Sequence, residues 1–352
     1  MSNSSVEKTG PNATVDIAGL RNFIRDRKLG DADDLHTENI SFGHSNEVHL
    51  VHFQGKSWAL RRPPRGPLLP TAHDVMREYR VLNALQNTDV PVPRVYAGCD
   101  DPKYIGAPFY LMEYMRGDVI RADGKSFATT PERRRAVSHG MIDLLIALQK
   151  VDWRAAGLEG FGRPDGYLPR QLKRWVDQLE RTIPHTRPLP VMNQVRDWLQ
   201  AHIPESPPAT IVHGDYKLDN VMWNPSDPPK PIAIFDWEMS TIGDPLADLG
   251  WLCSYWPDPG DPPTSGSMST MAPEPGYLTR REMLDRYEAK TGRKMSDFPF
   301  YQAFAIFKLA IIMEGSYSRF VLGQTDDPLF IQMKERVPAL ADSAWKVCQA
   351  AK

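Results

Sequence analysis

The hydrophobic period of the chain changes near residue 115, and that change limits the folds open to it more than any other feature. Before it, apolar residues alternate with polar ones or run together over short stretches, as in strands. After it, they recur every three or four positions over long stretches, as on helix faces. The 352 residues suffice for roughly two domains at about 150 residues each. The expected class is therefore α+β, with a polar tail at residues 1–15, a strand-rich region at 16–114 and a helical region at 115–352.

In the first region a short amphipathic helix carries Ile17, Leu20, Phe23 and Ile24 on one face. Glu47–Phe53 (EVHLVHF) and Ser57–Arg61 (SWALR) read as strands joined by a turn at Gln54-Gly55-Lys56, with an earlier strand over Thr37–Phe42. Arg94–Tyr96 and Pro108–Tyr114 read as two more. Thr71 is the expected N-cap of a helix running to about Leu85, with Val75, Leu82 and Leu85 on its apolar stripe. Glu78 falls on that same stripe. A carboxylate there either lies at the stripe's edge or pairs with a cation from the sheet, and Arg61 is the nearest strand candidate.

In the second region Thr130-Pro131 reads as an N-cap followed by proline at the first helical position. Further helices are expected over 169–181, from the Thr279/Glu282 capping box to about Gly292, and over Tyr301–Leu322. Pro257–Gly276, rich in Pro, Gly, Ser and Thr, is long enough to be either a lid or a disordered loop. Arg170 and Arg174, one helical turn apart, either hold an anionic ligand or form a solvated basic face.

Charge and composition exclude several partners. Lys and Arg number 42 against 44 Asp and Glu, a net charge of −2, so a nucleic-acid partner is not expected. The most apolar runs, Met141–Leu148 and Phe304–Met313, fall short of the ~20 residues a membrane span needs, so no membrane partner is expected either. Cys99, Cys253 and Cys348 are too scattered for a disulfide framework or a zinc pattern. No secretory h-region opens the sequence, and a cytoplasmic location is expected. The 32 prolines, about 9% against a usual ~5%, form no repeat, so collagen and low-complexity readings fail.

The chemistry concentrates in Thr210–Leu252. Three short apolar runs, 211–212, 221–223 and 232–235, end in polar residues, and the turn Asn224–Pro231 with its four prolines should reverse the chain. An antiparallel hairpin then puts Asn220 and Asp236 at one end, with Asp215 opening the loop before it. Oxygen ligands of this kind suit Mg²⁺, which takes one or two protein carboxylates with phosphate oxygens, and a carboxylate close by that is not bound to metal could orient or deprotonate a hydroxyl.

HGDYKLDN at His213–Asn220 and IFDWE at Ile234–Glu238 resemble the catalytic segment of the aminoglycoside phosphotransferase and choline kinase family, which shares the protein-kinase-like fold. The resemblance implies a bilobal α+β architecture. Its small N-lobe would have an antiparallel sheet and one helix, and its larger C-lobe would be mainly helical. It further implies ATP and Mg²⁺ as cofactors and a small-molecule hydroxyl as acceptor of the γ-phosphate. Asp215 would be the catalytic base, and Asn220 and Asp236 the magnesium ligands. Lys217 would either contact phosphate or be a solvated loop lysine. His213 would hold the loop. Ser45 and Asn46 would lie in the phosphate loop, Arg61 and Glu78 would form the phosphate-binding pair, and Glu113 and Met115 would flank the adenine hinge. The sequence departs from the pattern in two ways: Arg61 stands where most kinases have lysine, and no G-x-G-x-x-G is present. No D-F-G or A-P-E segment is present either, unlike in protein kinases.

A wider set, GHSNE, WALRRPP, REYRVLNAL, GYLPRQLKRW and FDWEMSTIGDPLADLGWL, is similar to the phosphotransferase domain that precedes an acyl-CoA dehydrogenase domain in certain mitochondrial fusion proteins and to its stand-alone bacterial relatives. That branch implies a hydroxy acid or its CoA thioester as acceptor. The competing readings are a nucleotide-binding module without turnover and an aminoglycoside- or choline-type kinase.

Overall fold

The structure, a computed structural model, describes residues 15–40, 46–64, 74–121, 126–259, 261 and 274–351. The chain forms two compact units. One runs to Arg116 and takes in Asp236–Glu238; the other comprises 117–235 and the chain from Met239 onward.

The first unit contains α1 (Ile17–Asp26), β1 (His36–Asn39), β2 (Glu47–Phe53), β3 (Lys56–Arg62), α2 (Val75–Leu85), β4 (Val95–Cys99) and β5 (Phe109–Glu113). The strands make one antiparallel sheet in the order β1-β2-β3-β5-β4. Two helices belong to this unit rather than one. The apolar face of α1 supplies Leu20, Phe23 and Ile24 to the same buried cluster as Val51, Phe53, Leu60, Phe109 and Leu111. Strand alternation explains the sheet: Trp58 and Leu60 of β3 enter that cluster, while Arg61 falls on the opposite face. Asp16 caps α1 through the Gly19 N–H at 2.9 Å. Asp74, not Thr71, caps α2, accepting from the Arg77 N–H; Thr71 lies outside the described residues. β1 is shorter than the sequence suggests, ending at Asn39.

The second unit contains β6 (Asp118–Val119), α3 (Pro131–Lys150), α4 (Tyr167–Thr182), α5 (Pro190–Ala201), β7 (Thr210–Val212), β8 (Val221–Asn224), β9 (Lys230–Ile234), β10 (Thr241–Gly243), α6 (Leu246–Tyr255), α7 (Arg280–Thr291), α8 (Phe298–Val321), α9 (Pro328–Ile331) and α10 (Met333–Ala350). β8 and β9 form the expected hairpin and pair with β6, while β7 pairs with β10. Thr130 caps α3 with Pro131 beside it, and the capping box of α7 is formed. Asp244 accepts from the Leu246 N–H to cap α6, whose helical residues start after Pro245. α8 is longer than the apolar run within it. Its 24 residues are long and apolar enough to cross a membrane by length and composition, but 72% of its most apolar window is buried inside the protein. It packs chiefly on α6 and α10. Most of Pro257–Gly276 lies outside the described residues. Of its ends, Asp258 and Asp261 hold Arg280, and Glu274 pairs with Arg134.

Phe23 is fully buried, with its ring 4.8 Å from that of Phe109. Truncating it removes the apolar surface that fixes α1 and leaves a cavity. Phe23→Ala should therefore destabilise the first unit by about 3–5 kcal/mol, measured as a lowered denaturant midpoint.

Candidate active site

In the first unit a buried polar cluster forms around Glu78. Arg61 on β3 places Nε 2.7 Å from Glu78 Oε2 on α2. Two more donors serve the carboxylate: Asn46 Nδ2 donates to Oε1 at 2.6 Å, and the Tyr110 hydroxyl donates to Oε2 at 3.2 Å. The carboxylate on the apolar stripe is thus the internal ion pair and not an edge residue; its side chain is 2% exposed. The other end of the guanidinium reaches Asp236 Oδ1 at 3.4 Å. Asp236 has φ +64°, a left-handed backbone that a non-glycine residue adopts only when its surroundings hold it there.

Burial pushes the Glu78 carboxyl up to about 7; Arg61 pulls it down, while Asp236 and Glu238 push it up again. Burial works against the Arg61 charge, but Glu78, Tyr110 and Asp236 outweigh it, and its pKa lies above the ordinary value. Two carboxylates, Glu78 and Asp236, therefore meet one guanidinium, with Glu238 acting on Glu78. That excess of negative charge, with Asp236 at its edge, is what a divalent cation would relieve. Glu113 ends β5, its N–H donated to the Arg94 carbonyl at 2.7 Å, and Met115 follows outside the strand. Ser45 lies outside the described residues. Asn46 is described, and its amide is turned onto Glu78.

In the second unit the loop 213–220 is held from behind. Asp248, buried in the first turn of α6, accepts from the N–H of His213 at 2.6 Å and of Gly214 at 2.8 Å. Gly214 has φ +86°, and a Cβ there would lie 2.6 Å from the Met239 carbonyl, so the turn requires glycine. His213 Nδ1 accepts from the Asp215 N–H at 3.2 Å; the proton must then be on Nε2, which donates to the Phe235 carbonyl at 2.8 Å. His213 thus ties the loop to the chain leaving β9. The hairpin register pairs Val221 with Ile234, and the Phe235 N–H donates to the Asn220 carbonyl.

The Asp215 carboxylate is aimed by three donors. Trp251 Nε1 donates to Oδ1 at 2.8 Å, Asn220 Nδ2 donates to Oδ2 at 2.9 Å, and Lys217 Nζ lies 3.2 Å from Oδ2. Asn220 Nδ2 also donates to the Asp215 carbonyl. With that amide nitrogen committed, Oδ1 is the atom of Asn220 that can ligate a cation. Lys217 is within ion-pair reach of Asp219 too, 3.6 Å away, and it lies over the Tyr255 ring. Arg170 turns back onto the carbonyls of Arg163 and Asp165, which leaves Arg174 as the member of the expected pair that can meet an anion.

Two residues of this site were not singled out from sequence. Trp251 lies three residues after Asp248, so both face the loop from one side of α6, and that spacing was the available signal. Lys308 interrupts the apolar run of α8. Its ammonium donates to the Gly214 carbonyl at 2.8 Å and lies 3.8 Å from the centre of a Trp251 ring. Burial pushes it down to about 8, against the pull of Asp215 and Asp248, with Arg174 and Lys217 pushing the same way as burial.

Residues 36–282 match the phosphotransferase enzyme family. The chain belongs to that family. A crystal structure from Ralstonia eutropha, described as a candidate aminoglycoside phosphotransferase, superposes with a TM-score of 0.83 at 33% identity over 96% of this chain and 99% of that one. Acyl-CoA dehydrogenase family member 10 of Mus musculus is 35% identical over 86% of the chain, and family member 11 of Rattus norvegicus is 30% identical over 95%. The chain spans only 28% and 43% of the lengths of those two relatives. More distant solved structures share the fold. An ADP-bound aminoglycoside phosphotransferase has a TM-score of 0.57 at 13% identity over 93% of this chain and 99% of that one. An ethanolamine kinase from Plasmodium vivax has 0.61 at 11% identity over 93% and 87%. The α+β, kinase-like fold expected from the sequence is the one this chain shares with them.

A lysine moved from 10.5 to about 8 costs roughly 3 kcal/mol of folding free energy at neutral pH, because the unfolded chain holds that proton more tightly. The cost is fully present below pH 8 and fades as the pH rises toward 10.5. Lys308→Met should leave the melting temperature at pH 7 equal to or above that of the wild type, with the difference closing as the pH rises through 8. It should also lower turnover by about tenfold or more, the worth of one charge-assisted hydrogen bond at the loop. Thermal melts from pH 7 to 10, with steady-state rates, check both halves.

Proposed function

We propose that the chain is an ATP- and magnesium-dependent phosphotransferase that moves the γ-phosphoryl group to a hydroxyl of a small acceptor, and that the acceptor is a hydroxy acid or its CoA thioester. The aimed carboxylate of Asp215 carries this reading. A carboxylate held by Trp251, Asn220 and Lys217 and fixed through the loop by Asp248 is pre-oriented to accept a hydroxyl proton as the phosphorus–oxygen bond forms.

Family membership supports the phosphoryl transfer, and the ADP-bound relative supports the nucleotide. In this reading Arg61, kept charged by its carboxylate neighbours, steers a phosphate oxygen. Asn46 and Tyr110 hold Glu78 in place to orient it, and Glu113 and Met115 offer main-chain groups to adenine. Lys217 is shared between Asp215 and an incoming phosphate. By the family resemblance Asp236 and Asn220 are each a candidate magnesium ligand, the latter through Oδ1. When bound, the ion neutralises charge on the transferring phosphate.

Two observations favour the acceptor class. Cationic Lys217, Lys308 and Arg174 act on or around Asp215, which suits an anionic acceptor better than a polycationic aminoglycoside. The curated relatives at 35% and 30% identity carry acyl-CoA dehydrogenase names. The three buried, unpaired cysteines support a reducing compartment, and we place the protein in the cytoplasm.

Acceptor-dependent ADP release should appear with hydroxy acids or their CoA thioesters and not with aminoglycosides. Asp215→Ala should lower kcat by roughly a hundredfold or more, while Mg-ATP still raises the melting temperature. A wild-type rate in Asp215→Ala would remove its role. Stabilisation by Mg-ATP without turnover on any acceptor would leave only a nucleotide-binding module.

A further inference from the structure

At the edge of the first unit's sheet, away from every residue assigned above, His36, Glu38 and His52 bring one ligand atom each to within 4.8 Å of one another. The backbone explains the grouping. His36 and Glu38 are two apart on β1 and so share a face, and His36 is directly opposite His52 in the β1–β2 register. The same alternation sends Val51 and Phe53 into the core, which leaves His52 on the opposite face. The two imidazoles stack with centroids 4.8 Å apart and planes 19° apart.

In both rings Nδ1 has a partner of its own. His36 Nδ1 lies 3.2 Å from the Asp34 carbonyl, which can only accept, so Nδ1 carries the proton and Nε2 keeps its lone pair. His52 Nδ1 lies 3.0 Å from the Ser57 hydroxyl. His52 Nε2 is buried and has no hydrogen-bond partner among the described residues, and it faces Glu38 Oε1 at 3.9 Å. The Ser57 hydroxyl can accept from Nδ1–H, the tautomer that leaves the lone pair on Nε2, and a metal ion between that buried nitrogen and the carboxylate would satisfy both. Imidazoles fixed through Nδ1, with a carboxylate completing a triad, are what a metal-binding histidine pair requires.

We propose that His36, Glu38 and His52 form a binding site for a divalent transition metal of the zinc class, with water as the fourth ligand. Two imidazole nitrogens and one carboxylate oxygen match the ligand preference of Zn²⁺, whereas Mg²⁺ prefers oxygen alone. Binding requires the three atoms, now within 4.8 Å of one another, to close around the ion. The ion clips edge strand β1 to β2 and fixes the end of a sheet that is otherwise open to solvent there. The site is independent of the phosphotransfer reading.

The test is calorimetric titration of Zn²⁺ into the untagged, full-length chain in buffer containing Mg²⁺, repeated with His36→Asn, Glu38→Gln and His52→Asn. The wild type should bind one ion with micromolar affinity, and each variant should lose roughly tenfold or more. Co²⁺ in place of Zn²⁺ should give the visible absorption of a tetrahedral site, lost in His52→Asn. Circular dichroism and melting temperature without metal establish that each variant folds, and Zn²⁺ should raise the melting temperature of the wild type more than that of any variant. No saturable binding by the wild type, or equal affinity in all three folded variants, would overturn the proposal.

Discussion

The ion pair between Arg61 and Glu78 is the interaction on which the first unit is organised. Burying two charges is costly, and such a pair persists only with further hydrogen bonds. Asn46 and Tyr110 supply them, and the guanidinium spends its other end on Asp236. The pair therefore joins the central strand, the packed helix and the segment 236–238 through one charge network. A guanidinium suits this better than an ammonium. Its fork can meet two carboxylates at once, and its charge survives burial where a lysine's would weaken. Arginine at this position thus fits the local electrostatics of two carboxylates.

The second unit solves a different problem. There one carboxylate is aimed by two neutral donors and one ammonium. Asp248 holds the loop by its main chain and leaves the Asp215 carboxylate to Trp251, Asn220 and Lys217. Lys308 adds positive charge behind the loop, through the Gly214 carbonyl and the Trp251 ring. Burial opposes that charge, so the fold gives up stability at neutral pH to keep a cation near the carboxylate. Functional sites commonly carry such a cost.

Much of this was legible in the sequence, where local chemistry and global fold agreed. The β8–β9 hairpin was visible because its turn is crowded with prolines and its strands are bounded by polar residues. The Arg61–Glu78 pair was visible because a carboxylate on an apolar stripe needs a partner. Other features were set by tertiary contacts. The helix through Lys308 was expected, but not where its ammonium goes, because the carbonyl and the two tryptophan rings it meets come from other elements, which no periodicity reveals. α10 carries Pro338 in its interior, which locally reads as a stop, yet packing on α8 and α5 carries the helix through it. α2 starts at Asp74 and not Thr71 because the Arg77 N–H finds its acceptor there. Asn46 reads as a phosphate-loop residue from its position, and the bond from its amide to Glu78 was not legible there. The Trp251 contact required knowing that α6 presents Asp248 and Trp251 to the same loop.

The central claim is that Asp215 serves a hydroxyl of a small acid while phosphate is transferred to it. Phosphorus NMR of the enzyme with Mg-ATP and a hydroxy acid or hydroxyacyl-CoA tests it most directly. A new phosphomonoester resonance should grow in step with ADP and fail to appear with Asp215→Asn. ATP that binds but persists unchanged with every hydroxylated acid, or a phosphoester formed equally well by Asp215→Asn, would contradict it.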